Sequence, residues 1–182
     1  MNDDIVDTVL RFWFAELREE QWFKADPALD QMIRDRFLPT YEAVSAAPHE
    51  HAGEIPTLAL ATVIVLDQFP RNMFRGTPKM FETDSAALRI AQTAVDLGID
   101  VLLTPTERQF LYLPYQHCED REVQAQSVAL YERIGEDHGL DYARRHRVIV
   151  DRFSRFPHRN AILGRASTPE ELAFLTEPGS SF

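Results

Sequence analysis

Proline sets the grammar of this chain. Eleven prolines occur in 182 residues, most serve as punctuation, and five of them stand where a helix can begin. At the first helical position the ring holds the backbone in helical range and gives up only an N–H that would have no intrahelical partner. Asp26-Pro27, Thr77-Pro78, Thr104-Pro105-Thr106-Glu107 and Thr168-Pro169-Glu170-Glu171 each place a capping side chain directly before the ring. The last two complete capping boxes, with a glutamate three residues after the threonine. Pro56 opens the apolar run Leu58 to Leu66. Near the start, Asp3 and Asp4 are placed to cap a helix whose apolar positions Ile5, Val9, Phe12 and Trp13 form one stripe on a 3.6-residue period. Leu29, Ile33, Phe37 and Tyr41 recur at spacing four, and Pro39 is predicted to kink or split that helix. Gly98 and Gly135 stand where helices end in a left-handed turn.

Strand patterns barely appear. The reading is therefore all-α: about eight helices with short connections, packed as stacked antiparallel hairpins or an irregular bundle. No clean 34-residue repeat chooses between these two. At 45% hydrophobic, the chain is long enough for one substantial core and short for two, so residues 1–182 are expected to form a single helical domain. Only 177–182, with Pro178, Gly179 and two serines, reads as a loose tail.

The formal charge of −10 argues against nucleic acid and against an anionic membrane surface, since both demand clustered positive charge. The most apolar run has nine residues against the roughly 20 needed to span a bilayer. The N-terminal MNDDIVDTVL opens with acids, unlike a signal peptide, and a single cysteine, Cys118, rules out an internal disulfide. A cytoplasmic protein is expected.

Two segments concentrate the chemistry. LDQFPRNMFRG (66–76) and RFSRFPHRNAILGR (152–165) each bring an apolar helix end to Phe-Pro, then Arg-Asn, then hydrophobics, then Gly with Arg nearby. In one reading they are structural elbows, with Phe69 and Phe156 plugging the core while the arginines tie carbonyls and carboxylates. In the other, the elbows lie face to face and Arg71, Arg75, Arg155 and Arg159 converge on an anion, because guanidinium offers carboxylate or phosphate a rigid fork. All but two of the 19 basic residues are arginine, and from Arg144 to Arg165 seven arginines stand against one acid, Asp151. That patch marks an anion site or neutralises neighbouring acidic helices.

A third element is LYLPYQHCEDREVQAQS, 111–127. If a helix starts near Tyr115 after Pro114, then His117, Asp120, Gln124 and Ser127 form a polar stripe, solvated or functional, with His117 beside Glu119 as a general acid or base. His117, His146, His158 and Glu119 are acceptable metal-ligand types, but no HExxH or cysteine ligand set occurs, and HCE at 117–119 lacks the PCxxC of a zinc deaminase. No phosphate-loop, dinucleotide or nucleophile-elbow motif is present, so neither a metal nor a cofactor is expected. Phe12, Trp13, Phe14, Trp22 and Phe23 read as core, and His49, His51 and His138 as surface.

FWF at 12–14, WF at 22–23, LDQFPRNMFRG, FLYLPYQHCED and the run from His146 through RFSRFPHRNAILGR to STPEELAFL resemble the bacterial family called domain of unknown function 924 over nearly the whole chain. That resemblance implies an all-helical, tetratricopeptide-repeat-like fold and no assigned activity. Its pattern matches at Asp67, Gln68, Arg71, Asn72, Arg75, His117, Glu119, Gln124, His146, Arg155, His158, Arg159 and Asn160. It departs at Ser154, where the family has glycine, and at 55–60, where a tryptophan is missing. The serine argues against a left-handed backbone at that point.

The favoured functional reading is a pocket for a small anionic metabolite. The catalytic candidates are His117, Glu119 and His158. The ligand-binding candidates are Asp67, Gln68, Arg71, Asn72, Arg75, Gln124, His146, Arg155, Arg159 and Asn160. Whether the protein is an enzyme stays open. The alternative is a helical-repeat-like module for a protein or peptide partner, with the signature residues structural.

Overall fold

The local cap signals translate directly into backbone. The computed structural model describes residues 1–181, and among them there are ten α-helices and no strand. They are α1 (Asp3–Arg11), α2 (Glu19–Trp22), α3 (Pro27–Ala46), α4 (Pro56–Val63), α5 (Phe69–Met73), α6 (Asp84–Asp96), α7 (Pro105–His117), α8 (Arg121–Ile134), α9 (Asp137–Phe153) and α10 (Pro169–Phe174). Asp26 caps α3 through the N–H groups of Ala28 and Leu29, and Thr168 and Glu171 close their box reciprocally at α10. The cap of α1 is Asn2 rather than Asp3 or Asp4, which instead fill the first turn and meet the positive end of the helix dipole. Gly98 and Gly135 adopt the left-handed turns expected of them. No described helix is long and apolar enough to cross a membrane.

Two sequence expectations are corrected. Helix α3 is not split at Pro39 but runs through it to Ala46. Buried Phe37 and Tyr41 hold its two halves on one core, and that burial outweighs the ~3 kcal/mol an interior proline costs. Pro114 does not interrupt a helix either, and no helix starts near Tyr115: α7 runs through Pro114 to His117, and Asp120 caps α8 by accepting from the N–H groups of Glu122 and Val123.

The backbone forms two compact units, 1–75 with 79–114, and 76–78 with 115–182. The first is built on aromatic rings. Phe69, fully buried, lies 4.6 Å from Phe37, 5.8 Å from Trp13 and 6.1 Å from Phe12 between ring centroids. Phe110 meets Trp13, Phe14 and Trp22 edge-on, while Phe23, 68% exposed, stacks on it from outside. Helix α4 passes into a π-helical turn, Ile64–Gln68, and the run from Leu58 to Phe69 is buried on every side. A stretch this apolar tolerates it, and Thr62 meets its need by donating to the Leu58 carbonyl. The π turn carries Asp67 and Gln68 inward with it, and such turns recur at functional or strained points.

In the second unit, α8 packs on α9, and Phe156 closes a cluster with Ile149, Val150, Phe153 and Phe174. Helix α9 ends at Ser154, which adopts φ 57°, a left-handed conformation that its residue type disfavours. Arg121 donates to the Asp151 carbonyl and to Ser154 Oγ, holding that turn. The segment expected to be loose turns back at its start: Ser180 is buried and bonds the Leu175 carbonyl, while Phe182 lies outside the described residues.

Glycine fits the left-handed turn without a Cβ penalty, so Ser154→Gly should raise unfolding free energy by about 0.5–1 kcal/mol despite losing the exposed Arg121 contact. Urea denaturation measures it, and a loss of stability would show that the Arg121 bond outweighs the strain.

Candidate functional site

In the first unit every polar residue of the LDQFPRNMFRG elbow is matched by a carboxylate or by its own neighbours. Arg71 forks onto Asp84 at 2.8 and 2.9 Å and reaches Asp67 Oδ1 at 3.3 Å, with Asp67 wholly buried. Gln68 Nε2 donates to Asp67 Oδ2 at 2.6 Å. Asp30, on α3, accepts from Asn72 at 2.8 Å and from both Arg75 Nε and Nη2 at 2.7 and 2.8 Å. Burial alone would raise the Asp30 carboxyl, but the Arg75 and Asn72 hydrogen bonds outweigh it and hold it below the ordinary range. Asp67, Gln68, Arg71, Asn72 and Arg75 thus form a closed ionic joint between α3, α5 and α6. Asp30 and Asp84 were not legible from sequence as its acids, since Asp30 stands 42 residues from Asn72 and nothing local marks either one.

The second elbow is engaged by acids of its own unit. Arg155 forks onto Glu171 at 2.5 and 2.7 Å, and this pairing takes the Glu171 carboxyl down to about 2. Arg144, Arg145, Arg147, Arg152, Arg155 and Arg165 meet Glu132, Asp141, Asp151, Glu170, Glu171 and Glu119 in turn. Arg159 is buried with its guanidinium 4.6 Å from the Phe156 ring centroid. Glu119 accepts from Arg165 at 2.6 and 2.9 Å and from the Phe156 N–H at 2.7 Å. Burial would raise its carboxyl; the Arg165 fork, the Phe156 N–H and the charges of Arg165 and Arg159 hold it low. Asn160 accepts from Arg165 Nε and donates to Ser167, fixing the turn that carries Arg159.

Around Phe156 the histidines gather. His146, on α9, lies edge-on to Phe156 at 5.5 Å and 6.2 Å from His117 at the end of α7. His158 lies 5.7 Å from Phe156, its ring tilted 38° to it. Burial first, then the neighbouring positive charge of His117, Arg159 and His158, pushes His146 down to about 3, against a raising contact from the Tyr142 carbonyl. Burial and then Arg159 push His158 down to about 4, with Glu119 opposing. Both are neutral imidazoles near pH 7. Gln124, wholly buried on α8, donates to the carbonyls of Tyr115, Gln116 and Cys118, on either side of His117.

The structure therefore brings together His117, Glu119, Gln124, His146, His158, Arg159 and Asn160 within the second unit, while Arg155 is committed to Glu171. Arg165 and Phe156 join them without having been predicted; the echo of Gly-Arg at the end of both elbows was the available signal for Arg165. Among the described residues no three His, Cys, Asp or Glu gather closely enough to hold a metal ion. His49, His51 and His138 are exposed. A shallow depression of about 160 Å³ in the first unit, lined by Pro48, His49, Gly53, Glu54 and Arg89 among others, contains none of the predicted site residues.

A family model described as a bacterial protein of unknown function, DUF924, matches residues 9–179. A solved structure of a protein of unknown function from Agrobacterium tumefaciens is 38% identical, covers 94% of this chain and 97% of its own, and superposes with a TM-score of 0.89. No curated protein matches.

Two measurements test the contrast between the elbows. Arg71→Ala strands Asp67 in the core and should lower unfolding free energy by about 3–5 kcal/mol in urea. A loss under about 1 kcal/mol would mean that the joint is not structural. For pH, His146 and His158 bind no proton when folded but do so below about 6.5 when unfolded, so stability should fall as pH drops from 6.5 toward 4, by about 1.4 kcal/mol per pH unit for each histidine. Paired carboxylates add their loss only below about 4.5. In His146→Gln/His158→Gln the onset should move down to that carboxylate range, and an unchanged onset would show that neither imidazole is held neutral.

Proposed function

We propose, for a chain that belongs to the DUF924 family of bacterial proteins of unknown function, that the second unit binds a small anion, phosphate or carboxylate, at His117, His146, His158 and Arg159. The observation that carries this reading is the approach of three imidazoles, from α7, α9 and the turn at 157–159, to a buried guanidinium around one phenylalanine ring. Glu119, whose charge is felt by both Arg159 and His158, already serves Arg165 and the Phe156 N–H. A guanidinium and imidazole N–H groups are all donors, and an anion accepts from both kinds.

In this reading the neutral imidazoles donate N–H bonds while Arg159 supplies fixed charge. The arriving anion reverses the local field and raises the histidine affinities for protons, so binding takes up protons. That also equips His117 or His158 to pass a proton to or from bound substrate, which is the enzymatic form of the proposal. Glu119, Asn160 and Arg165 position the loop, Arg155 anchors it to α10, and the LDQFPRNMFRG residues act as architecture in their own unit.

Sulfate keeps its charge between pH 6 and 8 and is a suitable first probe. At matched ionic strength set with chloride, sulfate or a dicarboxylate should raise the melting temperature, more at pH 6 than at pH 8. A ligand at a hundred times its Kd gives about 2.7 kcal/mol. His158→Ala and Arg159→Gln should abolish the gain. Equal melting temperatures with and without every anion would overturn the assignment.

A further inference from the structure

The segment that follows α10 folds back on itself and onto one of the histidines. Thr176 and Glu177 donate to the carbonyls of Ala173 and Phe174, and Ser180 donates to Glu177 through its N–H and to Leu175 through its hydroxyl. Thr176, Glu177, Pro178, Gly179 and Ser181 are exposed, and among them Ser180 alone is buried. Two contacts seat the segment. The backbone carbonyl of Ser180 accepts from the His158 ring. Gly179, at φ 78°, comes so near α9 that a Cβ there would stand 3.2 Å from Arg145 Nη2. Arg145 directly precedes His146, so the segment touches both elements that carry these two histidines. A stretch with so little buried surface opens at low free-energy cost.

We propose that residues 176–181 form a strap that closes the anion site by holding the His158 N–H, and that the strap lifts when the anion binds; this rests on the anion site proposed above. A neutral imidazole has one N–H to give. His158 gives it to Ser180, so the carbonyl and an arriving anion compete for the same hydrogen bond. The anion wins it only in molecules whose strap is open, and its apparent affinity is reduced by the fraction that is. Ser180 thus regulates the site through its backbone, and Gly179 sets how firmly the strap seats, because its left-handed turn suits a residue without a Cβ.

The test is Gly179→Val in the full chain. A β-branched residue strains this left-handed position and crowds Arg145, so the strap should unseat while the histidines and Arg159 keep their places. Diethyl pyrocarbonate, mapped by mass spectrometry, should acylate His158 about fivefold faster in the variant, the factor for one net hydrogen bond. The exposed His49, His51 and His138 should react alike in both proteins. Sulfate, titrated calorimetrically at matched ionic strength, should bind the variant about fivefold more tightly than wild type. Ser180→Ala, which keeps the backbone and loses only the Leu175 bond, should shift both readings the same way by less. Equal acylation of His158 in wild type and Gly179→Val would overturn the strap. Sulfate binding that is unchanged or weaker in the variant would overturn its competition with the anion. Faster acylation with sulfate bound by neither protein would instead remove the anion site itself.

Discussion

A guanidinium drawn toward a helical core needs polar partners that offset its lost hydration. Removing an arginine from water carries a desolvation penalty of several kcal/mol, and a single exposed ion pair returns about 1 kcal/mol or less. The fold meets this condition with forks. Arg71 on Asp84, Arg75 on Asp30, Arg155 on Glu171 and Arg165 on Glu119 each form two bonds to one carboxylate. Each fork also joins segments far apart in sequence, 45 and 46 residues in the case of Arg75 and Arg165. The elbows exist to bring these forks to the ends of helices, where proline has stopped the backbone and a phenylalanine has closed the core behind it. The acidic excess of the chain supplies the partners.

What the sequence revealed followed the range of the interaction. Caps act over three residues, so Thr168 with Glu171 and Asp26 with Ala28 were readable, as were the left-handed glycines. Phe69 and Phe156 were readable as plugs because an aromatic before proline at the end of an apolar helix has few places to go but inward. Pro39 misled because its penalty is local while the burial of Phe37 and Tyr41 is tertiary, and the tertiary term is larger. Ser154 misled for the related reason that residue preference at a left-handed position is worth about 1 kcal/mol, less than the packing that fixes the end of α9. The polar stripe from His117 to Ser127 was wrong as geometry. Asp120 breaks it to cap α8, and Gln124 and Ser127 turn inward instead of toward solvent.

The site itself was half legible. The signature residues were all named, but their division was not, because it depends on where acids lie. Asp30 and Asp84 absorb Arg75 and Arg71, and no periodicity announces them. The same blindness hid the reason that His146 and His158 differ from an ordinary surface histidine. Their character comes first from burial and then from the charges of His117 and Arg159, with Glu119 opposing at His158.

Glu119 is the residue on which this division turns. Read from sequence, a glutamate two residues after a histidine suggests a partner that raises the histidine's proton affinity. In the fold its oxygens face Arg165 and the Phe156 N–H, so it holds the turn carrying His158 and Arg159. A carboxylate so engaged offsets only part of the positive field around the imidazoles, since its effect on His158 is smaller than those of burial and Arg159. Imidazoles held neutral inside the fold cost it stability in acid, because the unfolded chain takes up the protons that the folded one refuses, and the burial that packs the turn at 157–159 is what sets that cost.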